Sequence, residues 1–231
     1  MNKQDLYRSK YKKIDSQWEE STNIYHDLIS KHVSKDTYLL DVGCGHSNLL
    51  SDIYPKTPNT YGIDPDIEAI KRNKHIKNIQ NCFVENMPFK DNFFDLVVCA
   101  WVFEHLKNPQ QSLKEIHRVL KPNGKLIFLT PNTLNYNVWI IRLIPSIFHN
   151  YLTKKLYNRQ DNDTFPKQYK INTPKDINKI LSFAGLKKEK ILLNEDPSYI
   201  SFNPLSFQLA LLLDKIFKNR KVHIIGVYSK Q

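Results

Sequence analysis

"YLLDVGCGHSNLL", running from Tyr38 to Leu50, sets an apolar run against an acid, Asp41, and then two glycines one residue apart, Gly43 and Gly45. A strand that ends in a glycine-rich turn and leads into a helix is a ligand-binding pattern of doubly wound α/β proteins. Bare backbone positions let a ligand come close where a Cβ would collide. The residues around the turn narrow the ligand. A dinucleotide-binding turn places a third glycine three residues after the second, where this chain has Asn48. No GKS or GKT follows to cradle phosphates. Asp41, two residues before Gly43, would repel a phosphate and attract an ammonium.

Working outward, "TYLLDV" reads as a continuous apolar strand and "NLLSDIYP" as a short helix ended by Pro55. "TYGID" (60–64) is a second strand, followed by a helix over 66–74; "IQNCFV" (79–84) and "FFDLVVCA" (93–100) are a third and a fourth. In "NPQQSLKEIHRVLKPNG" Asn108 can cap a helix, Pro109 suits its first turn, and Leu113, Ile116, Val119 and Leu120 share a face; Pro122-Asn123-Gly124 ends it. "GKLIFLTP" is a fifth strand. Residues 1–36 read as helical segments anchored by Trp18, Tyr25, Leu28 and Ile29. Strands apolar on both faces, alternating with helices, imply a parallel sheet covered on each side.

After Pro131 the rhythm breaks, and residues 132–172 read as an inserted cap. Regularity returns at "NTPKDINKILSFAGL". Thr173 is the expected N-cap, Pro174 the first helical residue, Ile177, Ile180 and Leu181 a core stripe, and Gly185 the stop. "KKEKILLN" and "KVHIIGVYS" then close the sheet. The chain is therefore expected to be one domain: a helical segment over 1–36, a ligand-binding core over 37–131, the cap over 132–172, and a closing helix and strands over 173–231.

The composition, 41% hydrophobic and 25% charged with six glycines, excludes disordered and collagen-like classes. The first 35 residues are polar and charged throughout, unlike a leader, and the longest apolar run, "LALLL" (209–213), is too short to span a bilayer. A cytoplasm-like compartment is expected, with Cys44, Cys82 and Cys99 as buried thiols. Residues 140–231 carry 16 basic against 7 acidic residues, compared with 18 and 16 in residues 1–139, so the excess positive charge sits in the C-terminal part. Such a surface suits an anionic partner or simply solvent.

A second acid, Asp64, ends the second strand about 20 residues beyond the loop, where open parallel sheets read ribose hydroxyls. A ribose, an ammonium and no phosphate describe S-adenosylmethionine. "LLDVGCGHSNLL", "YGIDPD", "ENMPFKDNFFDLVVCAWVFEHL" and "EIHRVLKPNGKLIFLTPN" resemble, in order and spacing over about residues 38–132, the successive motifs of class I S-adenosylmethionine-dependent methyltransferases of the small-molecule branch. The resemblance implies a Rossmann-like, doubly wound α/β fold whose seven-stranded sheet is mostly parallel with an antiparallel last strand at about 222–228. It implies that Asp41, Gly43, Cys44 and Gly45 surround the methionine part of the cofactor and that Asp64 binds the ribose, with Pro65 beside the adenine. Val84 and Glu85 would border the adenine; Ala100 and Trp101 would line the cleft. Where the family often has an acid that accepts from the adenine amino group, this chain has Phe83. Either a backbone contact substitutes, or stacking and the Val84 amide hold the adenine, and a modest cofactor affinity is expected.

Displacement at a sulfonium methyl needs alignment more than acid–base help, so no residue declares itself the catalyst. His105 is the candidate base. Glu104 and His105 resemble part of an E-x-x-E-H metal site of quinone methyltransferases, but Trp101 occupies the first acidic place, and no metal is expected. His117 reads as structural; His149 and Tyr169 of the cap could touch substrate. "NVWIIRLIPSIFHNYLTKKLYNR" and "FNPLSFQLALLLDKIFKNRK" each join apolar clusters to basic residues, as a lid over the site or a face for peripheral membrane contact. The leading reading is a methyltransferase acting on the oxygen of a sugar, glycolipid or isoprenoid-type small molecule. An RNA methyltransferase has only the basic C-terminal part in its favour, since neither an RNA-binding module nor an NPPY-type tetrad is present. A non-catalytic S-adenosylmethionine-binding protein would keep the same fold, and Phe83 gives it some motive. Asn48 and Asp41 disfavour a dehydrogenase.

Overall fold

A computed structural model of the chain describes residues 3–46, 49–143 and 166–231. Seven strands form one sheet: β1 (Leu39–Val42), β2 (Thr60–Asp64), β3 (Asn78–Asn81), β4 (Phe94–Ala100), β5 (Leu120–Pro131), β6 (Leu186–Asn194) and β7 (His223–Lys230), in the order β3-β2-β1-β4-β5-β7-β6. β7 runs antiparallel to both β5 and β6, and every other neighbouring pair is parallel. This is the α/β sheet with the antiparallel last strand that the motif order implied. The described helices are α1 (Lys3–Ile14), α2 (Ser21–Ser30), α3 (Ile67–Arg72), α4 (Pro109–Val119), α5 (Tyr136–Leu143), α6 (Pro174–Phe183) and α7 (Pro204–Ile216).

The period of two along the strands explains why their runs are continuously apolar. Leu40, Val97, Leu126, Phe128 and Ile224 pack on one face with Leu113, Ile116 and Val119 of α4 and Ile177 and Leu181 of α6. The alternate residues Leu39, Leu96, Val98, Ile127, Leu129, Ile225 and Val227 pack on the other with Tyr25 and Ile29 of α2. Both faces are covered, so the middles of the central strands are apolar on each side, and buried polar residues such as Asp41 and Asp64 stand towards the strand ends. Phe128 is fully buried, and truncating it to alanine would cost about 3–5 kcal/mol in lost transfer energy and cavity. Asn108 accepts from the Gln111 amide and Thr173 from the Asp176 amide, with Pro109 and Pro174 opening their helices. Each such cap is worth about 1 kcal/mol. Gly185, at φ +86°, ends α6 where a Cβ would lie 2.9 Å from the ring of His117. The His117 ring therefore packs against a bare backbone position.

Four local expectations are corrected. No α-helix covers residues 49–55: residues 49–53 are turns, and a 3-10 turn spans Tyr54–Lys56 with Pro55 in its first turn, where a missing amide is tolerated. β3 stops at Asn81 instead of Val84. It is an edge strand, and the chain must leave the sheet there to bring Phe83 and Val84 to the cavity described below. The α4 helix ends at Val119, and Pro122-Asn123-Gly124 is a bulge inside β5: Phe94 pairs with Leu120, but the next pair is Leu96 with Lys125. Asn123 there takes φ 64°. Finally, Cys82 is only partly buried, since it follows the end of the edge strand β3, whereas Cys44 and Cys99 are buried. The α7 helix, with Asn203 forming a capping box with Ser206, completes the chain's helices among the described residues.

Candidate active site

At the C-terminal ends of β1, β2 and β4 the chain encloses a cavity of about 940 Å³. That is near the upper end of small-molecule sites, roughly 300–1,000 Å³. Open parallel sheets place ligands at this edge because successive crossovers diverge there.

Asp41, next to last in β1, stands in the wall of this cavity at 7% exposure. Tyr54 Oη donates to its Oδ2 at 2.5 Å. Burial pushes the Asp41 carboxyl up to about 7, against the opposing pull of that hydrogen bond. Tyr25, fully buried on α2, also lines the cavity, and its hydroxyl has no hydrogen-bond partner among the described residues. A buried O–H left unpaired costs about 1–3 kcal/mol, so this wall is built for a polar ligand atom.

The glycine turn is not a phosphate cradle. The Gly43 and Cys44 amides donate to the Ile63 carbonyl at 2.8 and 3.1 Å, and the Gly45 amide donates to Asp64 Oδ2 at 2.8 Å. Three successive donors that a phosphate loop would aim at its ligand are tied to β2 instead. What the turn offers is the Asp41 carboxyl. Gly43 stands at φ +72°, and a Cβ on it would lie 2.5 Å from Val102 Cγ2, so glycine is required for the β1 turn to approach the loop after β4.

Asp64 ends β2, buried, with Oδ1 accepting the Asp66 amide and Oδ2 the Gly45 amide, each at 2.8 Å. A carboxylate at a strand end has the acceptor chemistry that ribose hydroxyls require. Pro65, Val84 and Glu85 line the same end, and Phe83 stands there at 58% exposure with its ring available for stacking. Ala100 and Trp101 line the floor beyond β4. Trp101 takes φ 61°, a rare conformation for a bulky residue, and its amide bonds the Leu129 carbonyl at 2.8 Å. Its ring packs edge-on against His223 at 5.0 Å. His223 is buried between Ser21 Oγ at its Nδ1 (2.8 Å) and Tyr199 Oη at its Nε2 (2.9 Å), and burial lowers its pKa to about 4.

The 3-10 turn Phe103–His105 sends its two polar side chains to different places. His105 lines the cavity, with Nδ1 3.3 Å from the Pro166 carbonyl, which can only accept, so Nδ1 is the donor of that bond. Glu104 points away: it is buried, accepts from Thr130 Oγ1 at 3.0 Å, and burial pushes its carboxyl up to about 7. Among the described residues no three His, Cys, Asp or Glu side chains gather as a metal shell. Tyr169 does not line the cavity; its backbone amide bonds the Glu104 carbonyl at 3.0 Å. His149 and Asn48 lie outside the described residues.

All ten residues that the motifs nominate for the cofactor line this one cavity, together with His105. The motifs did not nominate Thr22, Tyr25 or Val102, which line it, or Tyr54, which both lines it and holds Asp41. Tyr25 lies four residues before Ile29 on the apolar stripe of α2 and reads there as core. Its hydroxyl was the available signal. The residues fit S-adenosylmethionine: a carboxyl for the ammonium, an orphaned hydroxyl beside it, and an acceptor pair for the ribose.

Residues 40–128 match the family model described as "Methyltransferase domain". An uncharacterized protein of Methanocaldococcus jannaschii is 35% identical over 176 residues, covering 70% of this chain and 75% of that protein. A demethylmenaquinone methyltransferase of Chlorobaculum tepidum is 28% identical over 184 residues, 77% of this chain and 72% of that one. Among solved structures, a putative S-adenosylmethionine-dependent methyltransferase from Listeria monocytogenes superposes with a TM-score of 0.61 at 14% identity, over 90% of this chain and 98% of that one.

Proposed function

We propose that this chain, which belongs to the class I S-adenosylmethionine-dependent methyltransferases, methylates a hydroxyl of a small, largely apolar acceptor of isoprenoid type. S-adenosylmethionine is the cofactor, and when bound it supplies a methyl on a sulfonium, a carbon already activated towards displacement. Asp41 holds the ammonium and Tyr25 Oη donates to the carboxylate. Asp64 accepts from the ribose hydroxyls. Phe83 stacks on the adenine beside Pro65, Val84 and Glu85. His105 Nε2 takes the proton of the acceptor hydroxyl, while Trp101, Val102 and Leu106 shape the acceptor's part of the cavity and exclude water. Orientation in a closed site accounts for most of the acceleration, with effective molarities of roughly 10⁵ M or more for well-aligned groups.

The observation that carries this reading is the cavity itself: Asp41 and the unpaired Tyr25 hydroxyl at one end, Asp64 behind, and His105 among apolar neighbours. The test is incubation of the chain with methyl-labelled cofactor and a panel of polyprenylated phenols, glycolipids and sugars, followed by NMR of the labelled product. The expected product is a methyl ether of an apolar acceptor. A second reading, transfer to carbon, is favoured by a relative of Geotalea daltonii named as a ubiquinone/menaquinone biosynthesis C-methyltransferase, 29% identical over 130 residues. A C-methyl product would establish it against the first.

A further inference from the structure

We propose that the outward face of α7 docks on an anionic lipid surface. The proposal is independent of the acceptor's identity. The inward side of α7 is committed: Phe207 packs with Tyr7, Tyr11 and Trp18, and Ala210 is fully buried. At about 100° per residue, Leu205, Leu209, Leu212 and Ile216 fall on one line along the opposite side. They are 82%, 50%, 53% and 62% exposed. Four long aliphatic side chains in register on the solvent side add nothing to the core, and a continuous exposed stripe of this kind marks an interface. The surface continues at Trp139, 40% exposed, whose ring lies 6.4 Å from that of Phe217 with the Arg220 guanidinium 5.5 Å from its centre.

Charge decides the occupant. Lys215, Lys218 and Arg220 are exposed within and just after the last turn. The one acid of α7, Asp214, is turned inward and accepts from Tyr136 Oη at 2.8 Å. An aliphatic stripe flanked by cations, with a tryptophan at its margin, matches a bilayer interface rich in anionic headgroups. A second copy fits poorly. Two stripes paired in parallel would juxtapose their basic ends, and paired antiparallel they would leave those cations facing a helix that exposes no acid. No helix among the described residues is long and apolar enough to cross a membrane, so the contact lies in the plane of the surface.

The test is co-sedimentation of the full chain with vesicles of phosphatidylcholine alone and of phosphatidylcholine mixed equally with phosphatidylglycerol. Wild-type protein is expected to sediment with the mixed vesicles, to lose that binding at high salt, and to remain in solution with phosphatidylcholine alone. Leu209→Gln/Leu212→Gln, two exposed positions on a helix, should keep the circular dichroism spectrum and cofactor binding while weakening vesicle partition roughly a hundredfold. Lys215→Gln/Lys218→Gln should weaken it roughly thirtyfold. The proposal is overturned if wild type ignores the mixed vesicles, if it binds both kinds equally, or if the leucine variant sediments as wild type does. A dimer in light scattering that the leucine variant dissociates, without vesicle binding, would assign the stripe to a second copy and overturn it too.

Discussion

Tyr54 Oη donates a hydrogen bond to Asp41 Oδ2 at 2.5 Å, linking the turn after the glycine loop to the end of β1. Without that donor a buried carboxyl has less reason to ionise, and an ionised Asp41 is what an ammonium needs. Tyr54→Phe should therefore weaken S-adenosylmethionine binding at pH 7 about tenfold or more, from the 1.5–3 kcal/mol typical of a hydrogen bond to a charged group. Titration calorimetry reads this directly; an unchanged affinity would separate Tyr54 from the site.

Cofactor affinity should depend on pH through Asp41. Burial raises its pKa from 3.8 to about 7 in the free protein. Below that value, binding a cation must first release the proton. Affinity is expected to rise as pH increases towards about 7 and to level off above it, with proton release on binding at acid pH. Asp41→Asn should bind weakly at every pH and lose the dependence.

Asp41 and His223 push protein stability in opposite directions. The raised carboxyl makes the ligand-free fold less stable as pH rises from about 4 to 7, because the unfolded chain ionises first. The depressed imidazole, about 4 instead of 6.5, makes the fold less stable as pH falls from 6.5 to 4, because the unfolded chain gains the proton first. Thermal melts of Asp41→Asn and His223→Gln should flatten the two limbs separately, Asp41→Asn removing the loss on raising pH and His223→Gln the loss on lowering it.

Gly43→Ala meets two penalties: φ +72° and a Cβ placed 2.5 Å from Val102 Cγ2. The backbone penalty is about 1–2 kcal/mol, and the overlap, with Val102 free to shift, about 1–2 kcal/mol at the lower end of overpacking costs. Urea unfolding should show a loss of roughly 2–4 kcal/mol by the same reasoning, and Gly43→Ala/Val102→Ala should recover the steric share but not the backbone share.

Phe83 replaces the acid that the family often uses beside the adenine. If its exposed ring stacks on the base, Phe83→Ala should weaken binding about tenfold or more, given roughly 1–3 kcal/mol for a base on an aromatic side chain. Phe83→Tyr should retain affinity.

The order of strands was legible because the middles of β4 and β5, Leu96–Cys99 and Leu126–Leu129, are buried on both faces and read as short apolar runs, as does Leu39-Leu40 of β1. Asn108-Pro109 and Thr173-Pro174 announced two helices through their own caps. Asp41 was legible as an acid just before two glycines, and Asp64 as an acid ending the next strand about 20 residues on. Less of the site's support was visible. Ser21 and His223 touch across 202 residues, and Tyr54 reaches back 13 residues from a turn whose proline suggested only a helix end. The bulge at 121–124 carries turn residues that serve a strand, since local chemistry fixes a reversal of the backbone but not the pairing on either side of it.

The most direct measurement is a crystal structure of the chain with S-adenosylhomocysteine. The amino group is expected within hydrogen-bond reach of Asp41, the carboxylate near Tyr25 Oη, and both ribose hydroxyls on Asp64. A ligand seated outside this cavity, or seated in it with its amino-acid tail turned away from Asp41, would contradict the assignment.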